Sequence, residues 1–137
     1  MILKNVCKIF CFCSFFLISH ISEAQIDSYL IRRPSFKEIK ANKGDTINLK
    51  FIVKPINGYK LDDKKRDKAK IKNLEMVGWK LIETRNIERG GDLSFDIRVK
   101  QIFENTIKCK LKGTLRFYIE SVNSSHIVEE EISLKLP

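Results

Sequence analysis

Ile47, Leu49, Phe51 and Val53 alternate with Thr46, Asn48, Lys50 and Lys54, and only Ile52 breaks the polar face. A period of two predicts a half-buried β-strand. Leu93, Phe95, Ile97 and Val99 alternate in the same way with Ser94, Asp96, Arg98 and Lys100. The longest pattern runs through Ile107, Cys109, Leu111, Gly113, Leu115, Phe117 and Ile119, with Lys108, Lys110, Lys112, Thr114, Arg116, Tyr118 and Glu120 between them. Val128, Glu130, Ile132, Leu134 and Leu136 share one more face, opposite Glu129, Glu131, Ser133 and Lys135.

Weaker strands fill the gaps at Ser35–Ala41, Lys70–Met76 and Trp79–Thr84. Asn42-Lys43-Gly44-Asp45, Val77-Gly78 and Arg89-Gly90-Gly91-Asp92 carry turn residues between them. Leu61–Ala69 has room for one helical turn, and no segment shows sustained helical periodicity. Seven to eight short strands with regular turns predict an all-β, immunoglobulin-like antiparallel β-sandwich. Val122-Asn123-Ser124-Ser125 reads as the tip of the last hairpin. A pairing that sets Phe117 against Val128 and Leu111 against Leu134 also sets Arg116 against Glu129, an exposed cross-strand ion pair.

The first residues follow a different pattern. Lys4 and Lys8 precede an apolar run from Ile9 to Ile18, and Ser22 and Ala24 occupy small-residue positions. That is the organisation of a secretory signal peptide cleaved after Ala24. The run is shorter than the roughly 20 apolar residues a membrane span needs, so no stable span is expected after cleavage. The cysteines Cys7, Cys11 and Cys13 precede the end of the run, which argues against a lipid-accepting cysteine. The chain thus divides into a signal peptide at 1–24, an extended lead-in at 25–34 and a sandwich domain at 35–137. Periplasmic or secreted localisation follows.

Cleavage alters the composition selectively. The 137 residues contain four cysteines and carry a formal net charge of +9. Loss of Lys4, Lys8 and Glu23 lowers that charge only to +8, but removes every cysteine except Cys109 and every histidine except His126. No intramolecular disulfide can then form, although the compartment permits one. Export also removes nucleic acid from the expected partners, and leaves the surplus cations to be read as a surface property.

Three stretches give the chain a resemblance. Asn57-Gly58-Tyr59-Lys60-Leu61 follows the first long strand, Gly91-Asp92-Leu93-Ser94-Phe95 opens another, and Gly113-Thr114-Leu115-Arg116-Phe117 lies in the penultimate one. In these the chain resembles the immunoglobulin-like N-terminal domain of periplasmic thiol–disulfide interchange proteins, the disulfide bond corrector family. The resemblance implies the same fold and compartment. In redox-active members a cysteine pair follows that last aromatic residue. Here Glu120 and Ser121 to His126 stand in its place. Without a dithiol the domain cannot carry out two-electron thiol–disulfide exchange. The resemblance therefore implies a redox-inactive relative that serves as an interaction module.

Few residues offer chemistry of their own. Strand parity points Cys109 inward, where a neutral thiol is inert. His126 beside the hairpin tip lies near Ile119, too far from Cys109 for proton transfer. One cysteine and one histidine do not make a tetrahedral zinc site, and no phosphate loop or serine elbow is present. Asp62 and Asp63 invite a calcium reading that the intervening lysines oppose. Asn123-Ser124-Ser125 is a glycosylation sequon, with meaning only in a eukaryotic source. Tyr59 and Trp79 read as sheet-end or core packing. No cofactor, metal or catalytic residue is expected.

Two cationic segments remain. Lys60, Lys64, Lys65, Arg66 and Lys68 lie in a dense charge run, which reads as a solvated loop or as a contact for an acidic partner. Lys108, Lys110, Lys112 and Arg116 form a stripe on one strand face, read as a binding surface or as lysine protection of a sheet edge. The expected function is non-catalytic binding of another exported or envelope protein. The alternatives are binding of an anionic envelope polymer or glycan, and a thiol-dependent redox partnership through Cys109.

Overall fold

The alternating segments become strands in the computed structural model, which describes residues 27–39, 41–104 and 108–135. The expected signal segment at 1–24 lies outside them, as do Ile107 and Leu136. The strands are β1 (Tyr29–Arg32), β2 (Thr46–Pro55), β3 (Lys60–Leu61), β4 (Lys70–Val77), β5 (Trp79–Arg89), β6 (Asp92–Gln101), β7 (Lys110–Glu120) and β8 (Ser125–Lys135). They form two antiparallel sheets. One has the order β1-β2-β6-β5, and in the other β7 pairs with β3, β4 and β8. Because β8 lines one edge of β7 from Lys110 to Glu120, β3 and β4 must share its other edge. With β3 and β4 taken as one interrupted strand, the order is that of the constant-type immunoglobulin sandwich.

The inward positions pack as their parity requires. Leu49, Phe51 and Val53 of β2, Phe95, Ile97 and Val99 of β6, and Leu115, Phe117 and Ile119 of β7 are fully buried. Phe95 meets Phe117 across the sheets with ring centroids 6.3 Å apart. Each such side chain contributes about 1.5–3 kcal/mol by leaving water. The β7–β8 register sets Phe117 against Val128, Leu111 against Leu134 and Arg116 against Glu129, as the sequence pattern predicts. Cys109, just before β7, is buried in the same core.

Two segments differ from expectation. Residues 29–32, within the expected lead-in, form a strand paired to β2. Tyr29 explains why: its ring stands edge-on to Phe117 at 5.2 Å, and its hydroxyl donates to Glu130 Oε2 at 2.7 Å. Ser35–Ala41 is not a strand. A single helical turn, α1 (Phe36–Ile39), buries Ile39. Ser35-Phe36-Lys37-Glu38 has the S-x-x-E sequence of a helix start, which competes with the alternation there.

The turns set the ends of the sandwich. Gly90 and Gly91, both at positive φ, form the two-residue turn between β5 and β6. Gly78 turns the chain from β4 in one sheet to β5 in the other. A 3-10 helix at Asp63–Lys68 interrupts the edge between β3 and β4. Asp62 caps it by accepting from the Lys64 N–H at 3.0 Å, and its other oxygen accepts from Ser125 Oγ at 2.8 Å. These bonds, chiefly that from Ser125, hold the Asp62 carboxyl below the usual range against the opposing effect of burial.

Candidate interaction surface

The nine cations singled out by the sequence fall along the outer face of the β7 sheet and on the 3-10 helix beside it. Even parity sends Lys110, Lys112, Thr114, Arg116 and Tyr118 of β7 outward. The 3-10 helix packs against β7 and carries Lys65 onto this face. Lys65 Nζ lies 5.1 Å from the centre of the Tyr118 ring, and the Arg116 guanidinium lies 5.8 Å from it. Tyr118 is thus the meeting point of the two segments. Nothing in the sequence marked it, because it is only one outward residue among several on a long strand.

Three of the six cations that the sequence singled out in this upper region, Lys60, Arg66 and Arg116, are ion-paired among the described residues. Lys60 pairs with Glu120 at 3.3 Å. Arg66 pairs with Asp63 at 2.6 Å and with Glu88 of β5 at 2.8 Å. Hydrogen bonding to Asp63, then the charge of Glu88, raises the Arg66 pKa further. Glu129 lies 3.8 Å from Arg116 and 3.2 Å from Lys72. At 3.8 Å the Arg116 Nε–H is not hydrogen-bonded, and it is shielded from solvent without a partner among the described residues. Exposed pairs of this kind contribute about 0–1 kcal/mol each and hold the face together only weakly.

The lower part of the face is different. Lys108, Lys110 and Lys112 are exposed, and none has an ion pair among the described residues. Lys64 and Lys68 on the 3-10 helix share that state. At roughly 3.3 Å per residue, Lys108 lies about 26 Å along the strand from Arg116. The two cationic segments therefore touch only at Tyr118, and the stripe continues away from that contact. The edge-protection reading of the stripe is overturned, because β7 is the central strand of its sheet.

A shallow groove runs over the same face. Asn73, Glu75, Lys112, Thr114, Glu131 and Ser133 line a cleft of about 450 Å³. Its neighbour, about 250 Å³, is floored by Met76, Leu111 and Leu134 and edged by Val77 and Lys110. The small outward residues Thr114 and Ser133 leave room at this place on the face. Gly113 points inward, where Leu74, beside a bulge in β4 at which Asn73 adopts positive φ, fills the space on the core side.

The remaining candidates lie elsewhere. Cys109 is buried, and burial pushes its thiol pKa up, away from the reactive thiolate. His126 pairs with Ile119, ten residues along the strand from Cys109 and about 33 Å away at the same rise. Its ring meets Tyr59 edge-on at 5.8 Å, so the Gly58-Tyr59 stretch packs on the hairpin where the resemblance would put cysteines. Among the described residues no cluster of three or more His, Cys, Asp and Glu side chains could hold a metal ion. No described helix is long and apolar enough to cross a membrane. Compared with protein-family models, curated proteins and solved structures, the chain matches none.

Proposed function

We propose that the chain is an exported, non-catalytic interaction module that binds an acidic protein partner in the periplasm or outside the cell. The observation that carries this reading is the pair of lysines without an ion pair among the described residues, Lys110 and Lys112, bordering a groove on a sheet face with fixed register, with exposed Lys108 just before them in the chain. Preset cations speed encounter and reject wrong partners more than they add affinity. Export rests on the charged, apolar and small-residue order of residues 1–24. The redox-inactive character rests on the missing cysteines at 120–126, together with the burial of Cys109.

The test is affinity capture from the exported fraction of the native cell. Wild type is compared with Lys110→Glu/Lys112→Glu and with Lys64→Glu/Lys68→Glu. The groove variant should lose the captured partner, and the helix variant should keep most of it. Equal capture by all three would refute the assignment. Retention on heparin at physiological salt, together with no captured protein, would favour the anionic-polymer alternative instead.

A further inference from the structure

The described ion pairs leave several cations unpaired, Lys50, Lys64 and Lys68 among them, and at one end of the molecule such cations gather. The pairs involve Arg33, Lys60, Arg66, Lys72, Arg85, Arg98 and Arg116. None involves Lys43, Lys80, Lys100, Lys108 or Lys110, and these five lie at the opposite end of the sandwich from the β7–β8 hairpin tip. The register and the turns place them there. Lys80 stands directly across from Lys100, and Thr46 flanks Lys100 on the other side. The Gly44 N–H, next to Lys43, donates to the Gln101 carbonyl at 2.9 Å. Lys110 pairs in register with Val77. Like charges set directly opposite, as at Lys80 and Lys100, are destabilising.

Exposed apolar groups gather at the same end. Val77, Ile102 and Phe103 are 52%, 48% and 37% exposed. The Ile102 N–H donates to the Gly78 carbonyl at 2.8 Å, and Phe103 packs against Gly78. Leu81 and Ile82, also exposed, follow on β5, where a bulge leaves Ile82 without a cross-strand partner. The buried Gln101 amide donates to the carbonyls of Ala41 and Phe103 and fixes this loop. Of the large exposed hydrophobic residues described, only Leu30, Val122 and Ile127 lie elsewhere. The carboxylates nearby are Asp45, which accepts from the Asn42 N–H, Glu104, Glu75, which lines the same cleft as Val77 and Lys110, and Glu83, which pairs with Arg85 and Arg98.

We propose that this end of the sandwich docks on an anionic lipid bilayer. Val77, Ile102 and Phe103 enter the headgroup region, Leu81 and Ile82 border it, and the five lysines engage lipid phosphates. A soluble polyanion would use the lysines and leave the apolar tip in water. An uncharged protein surface would cover the tip and bury the lysines unpaired. A bilayer surface of negative charge satisfies both at once. The inference shares Lys108 and Lys110 with the surface proposed above but does not rest on it.

The test is co-sedimentation of the full chain with vesicles of phosphatidylcholine, with and without phosphatidylglycerol. Residues 9–18 can partition into either lipid, so the readout is the difference between the two vesicle types. Wild type should favour the anionic vesicles, increasingly so as salt is lowered. Lys80→Glu/Lys100→Glu should reduce that preference at least 25-fold, from about fivefold per lysine. Ile102→Ser/Phe103→Ser should weaken binding to anionic vesicles while leaving retention on heparin unchanged. Neither variant touches the β7 groove, so partner capture should survive both. Equal partition of wild type and both variants, or no preference for the anionic lipid, would overturn the inference. A loss with the lysine variant alone would also overturn it in favour of a soluble polyanion.

Discussion

Gly78 is the residue whose replacement the structure penalises most clearly. Its φ of +81° is a conformation that side chains resist, and an added Cβ would lie 2.6 Å from Cys109 Sγ, 2.9 Å from Phe103 Cδ2 and 3.2 Å from Cys109 Cα. For Gly78→Ala the backbone contribution is about 1–2 kcal/mol and the overpacking about 1–3 kcal/mol. The sum, about 2–5 kcal/mol, is a large fraction of the roughly 5–15 kcal/mol of a small domain. Urea unfolding provides the assay, followed by the fluorescence of the buried Trp79, the adjacent residue. With a slope of about 1.5–2 kcal/mol/M, the midpoint should fall by roughly 1–3 M. Cys109→Ala tests the cause, because it removes the nearest clashing atom. Alone it should cost about 1 kcal/mol, and combined with Gly78→Ala it should restore at least about 1 kcal/mol. A Gly78→Ala cost under about 0.5 kcal/mol, or strict additivity in the double variant, would refute the steric reasoning.

Other expectations follow from the buried polar groups. In a chain carrying Ser at positions 7, 11 and 13, Cys109 should resist a thiol reagent under native conditions and react fully in urea; rapid native labelling would revive the redox alternative. The depressed folded-state pKa of Asp62 gives stability above the ordinary carboxylate pKa of about 4, lost as the pH falls through the folded value. Ser125→Ala removes the main cause, so acid unfolding monitored by circular dichroism should begin at higher pH; an unmoved midpoint would count against that cap. The Tyr29 hydroxyl is pushed up to about 12, first by burial and then by its bond to Glu130. Its contribution is therefore complete below pH 10 and lost as the pH rises through about 12. Tyr29→Phe should lower stability by about 1 kcal/mol at neutral pH and flatten the alkaline decline in thermal melts. A decline identical to wild type would contradict this.

The fold was legible where alternation ran long. In β2, β6, β7 and β8 the buried residues are those that parity assigned, and the β7–β8 register followed from matching two apolar rows. Legibility failed where an element was too short for a period to show. Tyr29–Arg32 has two inward positions, and its placement depends on a partner more than a hundred residues away, Glu130. At Ser35–Ala41 a helix-start signal and a strand-like alternation overlapped, and four residues cannot decide between them. The candidate surface was legible as charge and not as geometry. The sequence placed cations at 60–68 and 108–116, but whether each was neutralised depended on Glu88 and Glu129, set beside them by tertiary structure. Ile102, Phe103 and Lys43 belong to loops with no period at all, so their gathering around Gly78 had no sequence signal.

Strand register explains why Arg116 of β7 is ion-paired while Lys110 and Lys112 are not, among the described residues. Once Phe117 faces Val128, every outward residue of β7 has a fixed neighbour on β8. Arg116 then meets Glu129, and Thr114 meets Glu131, but Lys112 meets Ser133 and Lys110 meets Lys135. The acidic run Glu129-Glu130-Glu131 is long enough to serve only the upper rows, and Glu130, turned inward, is taken by Tyr29 and Arg33. On the other side of β7, Glu75 stands opposite Lys112, and Val77 stands opposite Lys110. Moving from Arg116 to Lys110, the strand therefore passes from ion-paired to unpaired cations and from polar to apolar neighbours. Slipping β8 by two residues would set Glu131 beside Lys112 and Glu129 beside Thr114, but would also set Phe117 against His126 in place of Val128. Core packing thus fixes the register, and the register in turn leaves positive charge exposed next to the apolar tip, where a negatively charged surface would complement it.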